Sequence, residues 1–520
     1  MEIQYLVASI LVALFITYTL LRKKHHQKKL PPSPQSLPII GHFHLLVNKP
    51  IHIAIGNLLQ KYGPILFLRF GFRPVLILSS PTAIKECFTK NDIIFANRPS
   101  MLLGKIVDKY EAVAMISYGD TWRNLRRLTT TEIFSTIRLD MSSNIRKEEV
   151  SSVIRQMYKG YDGEFKQVEL KSIFCKLAFN INAKVFGTKP FFGEEEMADH
   201  KKAKDKLDEL KSLFLPNEIL FGAGDFFPFL KWLDHWTVEK IMLKFHHKRD
   251  KFMQDMIDDH RSTRAASSSF SRSNTNEDMK EEMEKKRSLI DVLLSLKETE
   301  AEYYTDDIIK GVILVMFATG IETSTTTMEW AMSLLLNHPE VLKKARNEID
   351  FNVGHDRLLN ESDFINLPYL HNIINETLRM CTLQPFLAPH ESSEDCTIGG
   401  YHIPKGTMLL INQLALHNDP KIWPEPTMFK PERFQKEFGE NEGTKWIPFG
   451  QGRRACPGEG LGMRIMALML GSLIQCYDLD LVEGEMVDVS IGERRIMGKA
   501  KPLEAMYRPR KPLVDVLSEI

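Results

Sequence analysis

Apolar and polar positions change rhythm several times along this 520-residue chain, and the changes mark its parts. Residues 3–21 carry no charge and are about long enough to span a bilayer. Arg22, Lys23, Lys24, Lys28 and Lys29 follow at once, so the basic flank is expected to stay cytoplasmic. Positive charge comes after the apolar run and no small-residue cleavage site is clear, which favours an anchor over a cleaved signal. Pro31-Pro32-Ser33-Pro34 is stiff and non-helical, and predicts the end of the anchor helix. Two strand-like stretches, 65–71 and 74–79, flank a short turn. Most of residues 140–350 has the 3.6-residue period of amphipathic helix, with a long apolar helix expected over Ile309–Leu336. Within that region Arg264–Asn276 lacks helical periodicity and predicts an exposed loop. Residues 397–404 and 407–411 predict a small hairpin, and no internal repeat is present. The pattern predicts a mainly α protein with a minor β region, preceded by one transmembrane helix. Its parts are an anchor at 1–21, a basic, Pro-rich hinge at 22–34 and one domain at 35–520.

Composition narrows the function classes. A hydrophobic fraction of 43% supports a large core, and a net charge of +1 argues against nucleic acid as a partner. Cys87, Cys175, Cys381, Cys396, Cys456 and Cys476 lack the paired spacings of a disulfide framework or zinc site. They suit a reducing compartment.

One of these cysteines stands apart, in Phe449-Gly450-Gln451-Gly452-Arg453-Arg454-Ala455-Cys456-Pro457-Gly458. A thiolate at Cys456 suits haem iron, since it pushes electron density toward O–O cleavage. Gly450, Gly452 and Gly458 allow tight turns and close backbone approach. Arg454 offers a permanent charge for a haem propionate, and Phe449 would shield the sulfur. The loop closely resembles the haem-binding loop of the cytochrome P-450 superfamily. Glu376-Thr377-Leu378-Arg379 and Pro431-Glu432-Arg433-Phe434 resemble that family's E-x-x-R and P-E-R-F, in the family's order. The resemblance implies the cytochrome P-450 fold and a buried, structural triad of Glu376, Arg379 and Arg433.

Ala318-Thr319-Gly320-Ile321-Glu322-Thr323-Ser324 resembles the family's [A/G]-G-x-[D/E]-T-[T/S]. There Gly320 would relax the helix, while the Glu322 acid and Thr323 hydroxyl would relay protons for O–O cleavage. The bland reading is that these side chains merely satisfy neighbouring helix carbonyls. Thr319 departs from the family's usual Ala or Gly and adds a hydroxyl and a methyl near oxygen or substrate. Trp122 and Arg126 resemble W-x-x-x-R, which meets one haem propionate. His390 lies where a His or Arg reaches the other. The His-Pro or Tyr-Pro pair usual after E-x-x-R is missing from Met380–Phe386.

Residues 335–341, 389–396 and 499–505 look very like plant microsomal members, specifically the eighty-first plant family, whose relatives oxidise isoflavonoids and other aromatic specialised metabolites. The resemblance places Thr319, Leu383, Phe386, Leu387 and Ile496 against substrate, with Arg494 and Arg495 at a nearby turn. No G-x-G-x-x-G follows a strand, so electrons from NADPH are expected through a partner reductase. The implied cofactor is haem b with an axial thiolate, on a single-pass endoplasmic reticulum protein with a cytosolic catalytic domain. Hydroxylation of a phenolic, flavonoid, isoflavonoid or xanthone-precursor scaffold is the expected outcome. Oxidative ring closure (phenol coupling or a methylenedioxy bridge) is one alternative, and a reductase-independent haem-thiolate isomerase or dehydratase is another.

Overall fold

A computed structural model describes residues 29–47, 49–101, 113–159, 161–193, 200–214, 222–234, 240–271, 288–435, 443–492 and 496–519. The expected anchor, most of the basic hinge, and Arg494 with Arg495 lie outside the described residues. Contacts gather the chain into two units, residues 1–99 with 388–412, and residues 100–387 with 413–520.

The first unit is built on a four-stranded sheet. Strands Ile65–Phe70 and Arg73–Leu78 pair antiparallel around a two-residue turn, with Ile65 opposite Leu78 and Phe70 opposite Arg73. Gly71 sits at φ +58°, a conformation that costs glycine nothing. Met408–Ile411 then pairs parallel with Arg73–Leu78, and His390–Glu391 closes the far edge. The expected hairpin is therefore smaller than the sequence pattern suggested. It joins Cys396–Ile398 to Tyr401–Ile403 around Gly399-Gly400, both at positive φ, whereas Met408–Ile411 joins the larger sheet. All four residues of Met408–Ile411 are buried, as an uninterrupted apolar run demands of a strand covered on both faces.

The second unit is mostly helical, and five of its helices position the site. They are α1 (Asp120–Glu132), α2 (Leu170–Phe186), α3 (Asp306–Asn337), α4 (Pro368–Met380) and α5 (Glu459–Cys476). Helix α3 starts where the Thr305 hydroxyl accepts the Ile308 amide, with Asp306 and Asp307 favourably placed at the positive end of the dipole. It stops at His338-Pro339, where proline cannot continue the hydrogen-bond ladder. Among the described residues α3 alone is long and apolar enough to cross a membrane, yet 67% of its apolar window is buried inside the protein. It is a core helix. Phe317 on α3 stacks on Phe186 of α2 (5.3 Å) and on Phe214 (5.0 Å), fixing the α2–α3 pair by aromatic packing. A three-stranded antiparallel sheet of Lys166–Glu169, Glu504–Pro509 and Tyr477–Asp480 completes this unit.

One expectation is corrected here. Residues 264–271 are not loop but the last turns of a helix spanning Lys240–Ser271. Arg264, Ala265 and Ala266 are good helix formers, and local propensity carries the helix on after the apolar period stops. The rest of the expected loop lies outside the described residues.

Candidate active site around Cys456

The loop leading into α5 is folded by its glycines. Gly450 and Gly452 sit at φ +73° and +72°, left-handed positions that side chains resist. The Cys456 amide then donates to the Phe449 carbonyl at 2.7 Å, turning the chain back on itself. The Gly458 and Glu459 amides, at the start of α5, favour the Cys456 thiolate. The thiol is held above its ordinary value, because burial and the Glu459 carboxylate outweigh those amides and the nearby Arg126 charge. A Cβ on Gly458 would lie 3.5 Å from the Phe134 ring and 3.9 Å from the Cys456 sulfur, so Phe134 walls the same recess. The Phe449 ring packs against the main hydrophobic core beside it.

Helix α1 brings two of the expected residues to this loop. Trp122 is buried, and the Arg454 guanidinium lies over its ring at 4.5 Å. Arg454 also donates to the carbonyls of Val113 (3.1 Å) and Ile116 (2.6 Å). One turn along, Arg126 is half-buried, and burial lowers its pKa while the Cys456 charge raises it. Among the described residues the Arg126 side chain forms no ion pair or hydrogen bond. A permanent charge left in that state beside a thiol is suited to an anionic group of a bound molecule.

Helix α5 carries the loop to α3. A Cβ on Gly462 would meet the Ser324 hydroxyl at 3.9 Å, so the two helices cross one residue from Thr323. Residues 308–314 and 324–336 of α3 are buried, but Val315, Ala318, Thr319, Glu322 and Thr323 between them are partly or fully accessible. They recur at helical spacing and form one stripe. Thr319 donates to the Val315 carbonyl at 2.7 Å, Thr323 to the Thr319 carbonyl at 2.6 Å, and Thr327 to the Thr323 carbonyl at 2.8 Å. These hydroxyls thus do satisfy helix carbonyls, and the first two remain accessible while doing so. Gly320 lies within an unbroken helix, and a Cβ there would meet the Asn182 amide oxygen of α2 at 3.5 Å.

Behind the loop, Glu376 and Arg379 of α4 are wholly buried. Arg379 donates to both Glu376 oxygens, at 2.7 and 2.8 Å, and Arg433 donates to one of them at 3.1 Å. The expected triad is assembled. Arg379 also donates to the His417 carbonyl at 2.9 Å. Nothing in the sequence pattern marked His417, which is buried and links the triad to the cysteine loop. Its Nε2 accepts the Ile447 amide at 3.1 Å, and its Nδ1 pairs with the Thr382 hydroxyl at 3.0 Å. Thr382 spends its own proton on the Arg379 carbonyl, so Nδ1 carries the ring proton and the imidazole is neutral. Burial, with Arg379 alongside, lowers the His417 pKa to about 3.

Of the expected substrate contacts, Leu383 and Ile496 are brought toward α3. The Met497 amide donates to the Leu383 carbonyl and the Trp330 indole to the Met497 carbonyl, each at 2.8 Å. Ile496 is buried, while Leu383, Phe386 and Leu387 are partly buried. His390 belongs to the other unit, where it is buried and donates from Nδ1 to the Phe95 carbonyl at 2.7 Å. Phe134, Asn182 and His417 are the site residues that sequence reasoning missed. Each is recognisable only from what folds against it.

A thiol in a glycine-turned loop, an Arg126 guanidinium without an ion pair or hydrogen bond among the described residues, and an accessible stripe on a core helix fit a haem with its carboxylates. The family model described as Cytochrome P-450 matches residues 31–505. Cytochrome P-450 81Q32 of Catharanthus roseus is 44% identical, covering 98% of this chain and 97% of that protein. A (+)-piperitol/(+)-sesamin synthase of Sesamum radiatum is 41% identical over 100% of this chain and 99% of its own. An isoflavone 2'-hydroxylase of Glycyrrhiza echinata is 40% identical over 98% and 97%.

Proposed function

The chain belongs to the cytochrome P-450 family, and from that premise we propose that it oxidises a plant aromatic metabolite, by hydroxylation, on the endoplasmic reticulum membrane. Bound haem would supply oxygen activation, using NADPH-derived electrons from a partner reductase. The observation that carries the reading is the glycine-turned Cys456 loop at the start of α5, a helix that crosses α3 beside Thr323.

Each residue then has a task that its surroundings suit. Cys456 ligates iron, and the Gly458 and Glu459 amides tune its basicity. Phe449 and Phe134 wall the recess beside the sulfur. Arg126, Arg454 and Trp122 hold a propionate, with His390 assigned to the other. Glu322 and Thr323 move protons along the accessible stripe of α3; in the observed rotamer the Thr323 oxygen turns its lone pairs outward and can accept one. Leu383, Phe386, Leu387 and Ile496 offer apolar surface to a flat ring. Glu376, Arg379 and Arg433 lock the segment behind the loop. Residues 35–520 act together as the catalytic part, on an anchor at 1–21.

Ring closure is the second reading, favoured by the relative named for piperitol and sesamin synthesis. Turnover separates the two. Microsomes holding this protein and a plant reductase are given flavonoids, isoflavonoids, benzophenones and lignans, and products are weighed. An NADPH-dependent gain of one oxygen is the expected result. Loss of two hydrogens instead would replace hydroxylation by ring closure. No product from any scaffold, with an intact thiolate haem spectrum, would overturn the aromatic reading. Cys456→Ala should abolish that spectrum.

A further inference from the structure

We propose that Thr319 is a specificity-determining residue that accepts a hydrogen bond from a hydroxyl of the substrate. Thr319 is exposed, although it lies near the middle of a helix whose flanking turns are buried. A hydroxyl has one proton and two lone pairs. The Thr319 proton is committed to the Val315 carbonyl at 2.7 Å. What the side chain turns outward is therefore a pair of acceptor sites and a methyl group, with no donor. The neighbouring hydroxyl points the same way in chemistry. Thr323 commits its proton to the Thr319 carbonyl at 2.6 Å, so two successive turns of one stripe offer acceptors only. On the same stripe Val315 and Ala318 have no polar side-chain atom, and the Glu322 carboxylate, when ionised, is an acceptor too.

A β-branched threonine is stiff at χ1, and the back-bond to Val315 fixes it further, so the acceptor is held in place before anything binds. A substrate that brings a phenolic O–H to this point gains a hydrogen bond. Its methyl ether brings no donor and must strip water from the acceptor without replacing it. Thr319 thus selects free phenols over their ethers. The assignment rests on the aromatic reading above and deepens it: the ring oxidised should carry, or lie beside, a free hydroxyl.

The test uses equilibrium binding, by calorimetry and by the substrate-induced change in the haem spectrum, on the full-length holoprotein in lipid nanodiscs. Probes are 4'-hydroxyisoflavone and 4'-methoxyisoflavone, with 4-hydroxybenzophenone and 4-methoxybenzophenone as a second pair. Wild type should prefer the hydroxyl of a pair by about five- to tenfold, the size of one net hydrogen bond. Thr319→Val keeps the branched shape and should bring that ratio near one. Thr319→Ser keeps the hydroxyl and should retain the preference. Thr327→Val loses the same kind of back-bond, from a buried position two turns on, and should leave the ratio as in wild type. An unchanged ratio in Thr319→Val would overturn the acceptor role while leaving the aromatic reading intact. Equal collapse in Thr327→Val would assign the effect to helix distortion and also overturn it. Failure of wild type to bind either member of both pairs would overturn the aromatic reading and this inference together.

Discussion

Thr323 bonds back to its own helix and still faces outward, so losing its hydroxyl and losing its helix are separable events. Thr323→Ala frees one carbonyl in a 32-residue helix anchored by buried turns on both sides, and the haem spectrum should be unchanged. Proton delivery should suffer instead. Product formed per NADPH is expected to fall by at least about tenfold, with peroxide rising to match. Tight coupling in that variant would remove Thr323 from the relay. At the same scale, Arg379 is fixed by its surroundings more than by any role in chemistry. Arg379→Met leaves the buried Glu376 with Arg433 and a single backbone amide from Lys430, and should destabilise the fold by about 3–5 kcal/mol in thermal or denaturant unfolding. A loss under 1 kcal/mol would mean that Arg433 alone balances the charge.

Among elements, legibility follows how local the determining force is. Helix α3 was readable because its long apolar run, Ile309–Leu336, lies within its own sequence. The hairpin at 65–78 was readable for a similar reason, since two apolar runs around a glycine turn are local signals. Met408–Ile411 was misassigned to a local hairpin because its partner, Arg73–Leu78, lies more than three hundred residues earlier. The helix beyond residue 263 was missed because propensity without an amphipathic period gives no pattern to detect. In the site, Cys456, Glu376, Arg379 and Arg433 announced themselves through spaced motifs. His417 did not, because its meaning is three hydrogen bonds to residues scattered from Arg379 to Ile447.

For the whole molecule, His417 makes stability depend on acid. In the unfolded chain it takes up a proton near its ordinary pKa of 6.5, but in the folded protein only near 3. Between those values the unfolded state holds the extra proton. The stabilising contribution is therefore complete above pH 6.5 and is lost as pH falls toward 3, at up to about 1.4 kcal/mol per pH unit. His42, also buried with a lowered pKa, acts in the same direction. His417→Gln retains an acceptor for Ile447 without a titrating ring. Its unfolding free energy should lose about one proton's worth of slope between pH 6 and 4, relative to wild type. Parallel pH profiles for the two proteins would show that His417 already titrates normally when folded.

The four-stranded sheet also sets a schedule for biosynthesis. Arg73–Leu78 leaves the ribosome early, yet its parallel neighbour Met408–Ile411 emerges more than three hundred residues later. At roughly 5–20 residues per second, the nascent chain holds an apolar, half-paired strand for about 15–60 s before the sheet can close. Such an edge is a ready template for wrong pairing. Wrong pairing of that edge is thus a hazard of the early chain, before the cysteine loop has been translated.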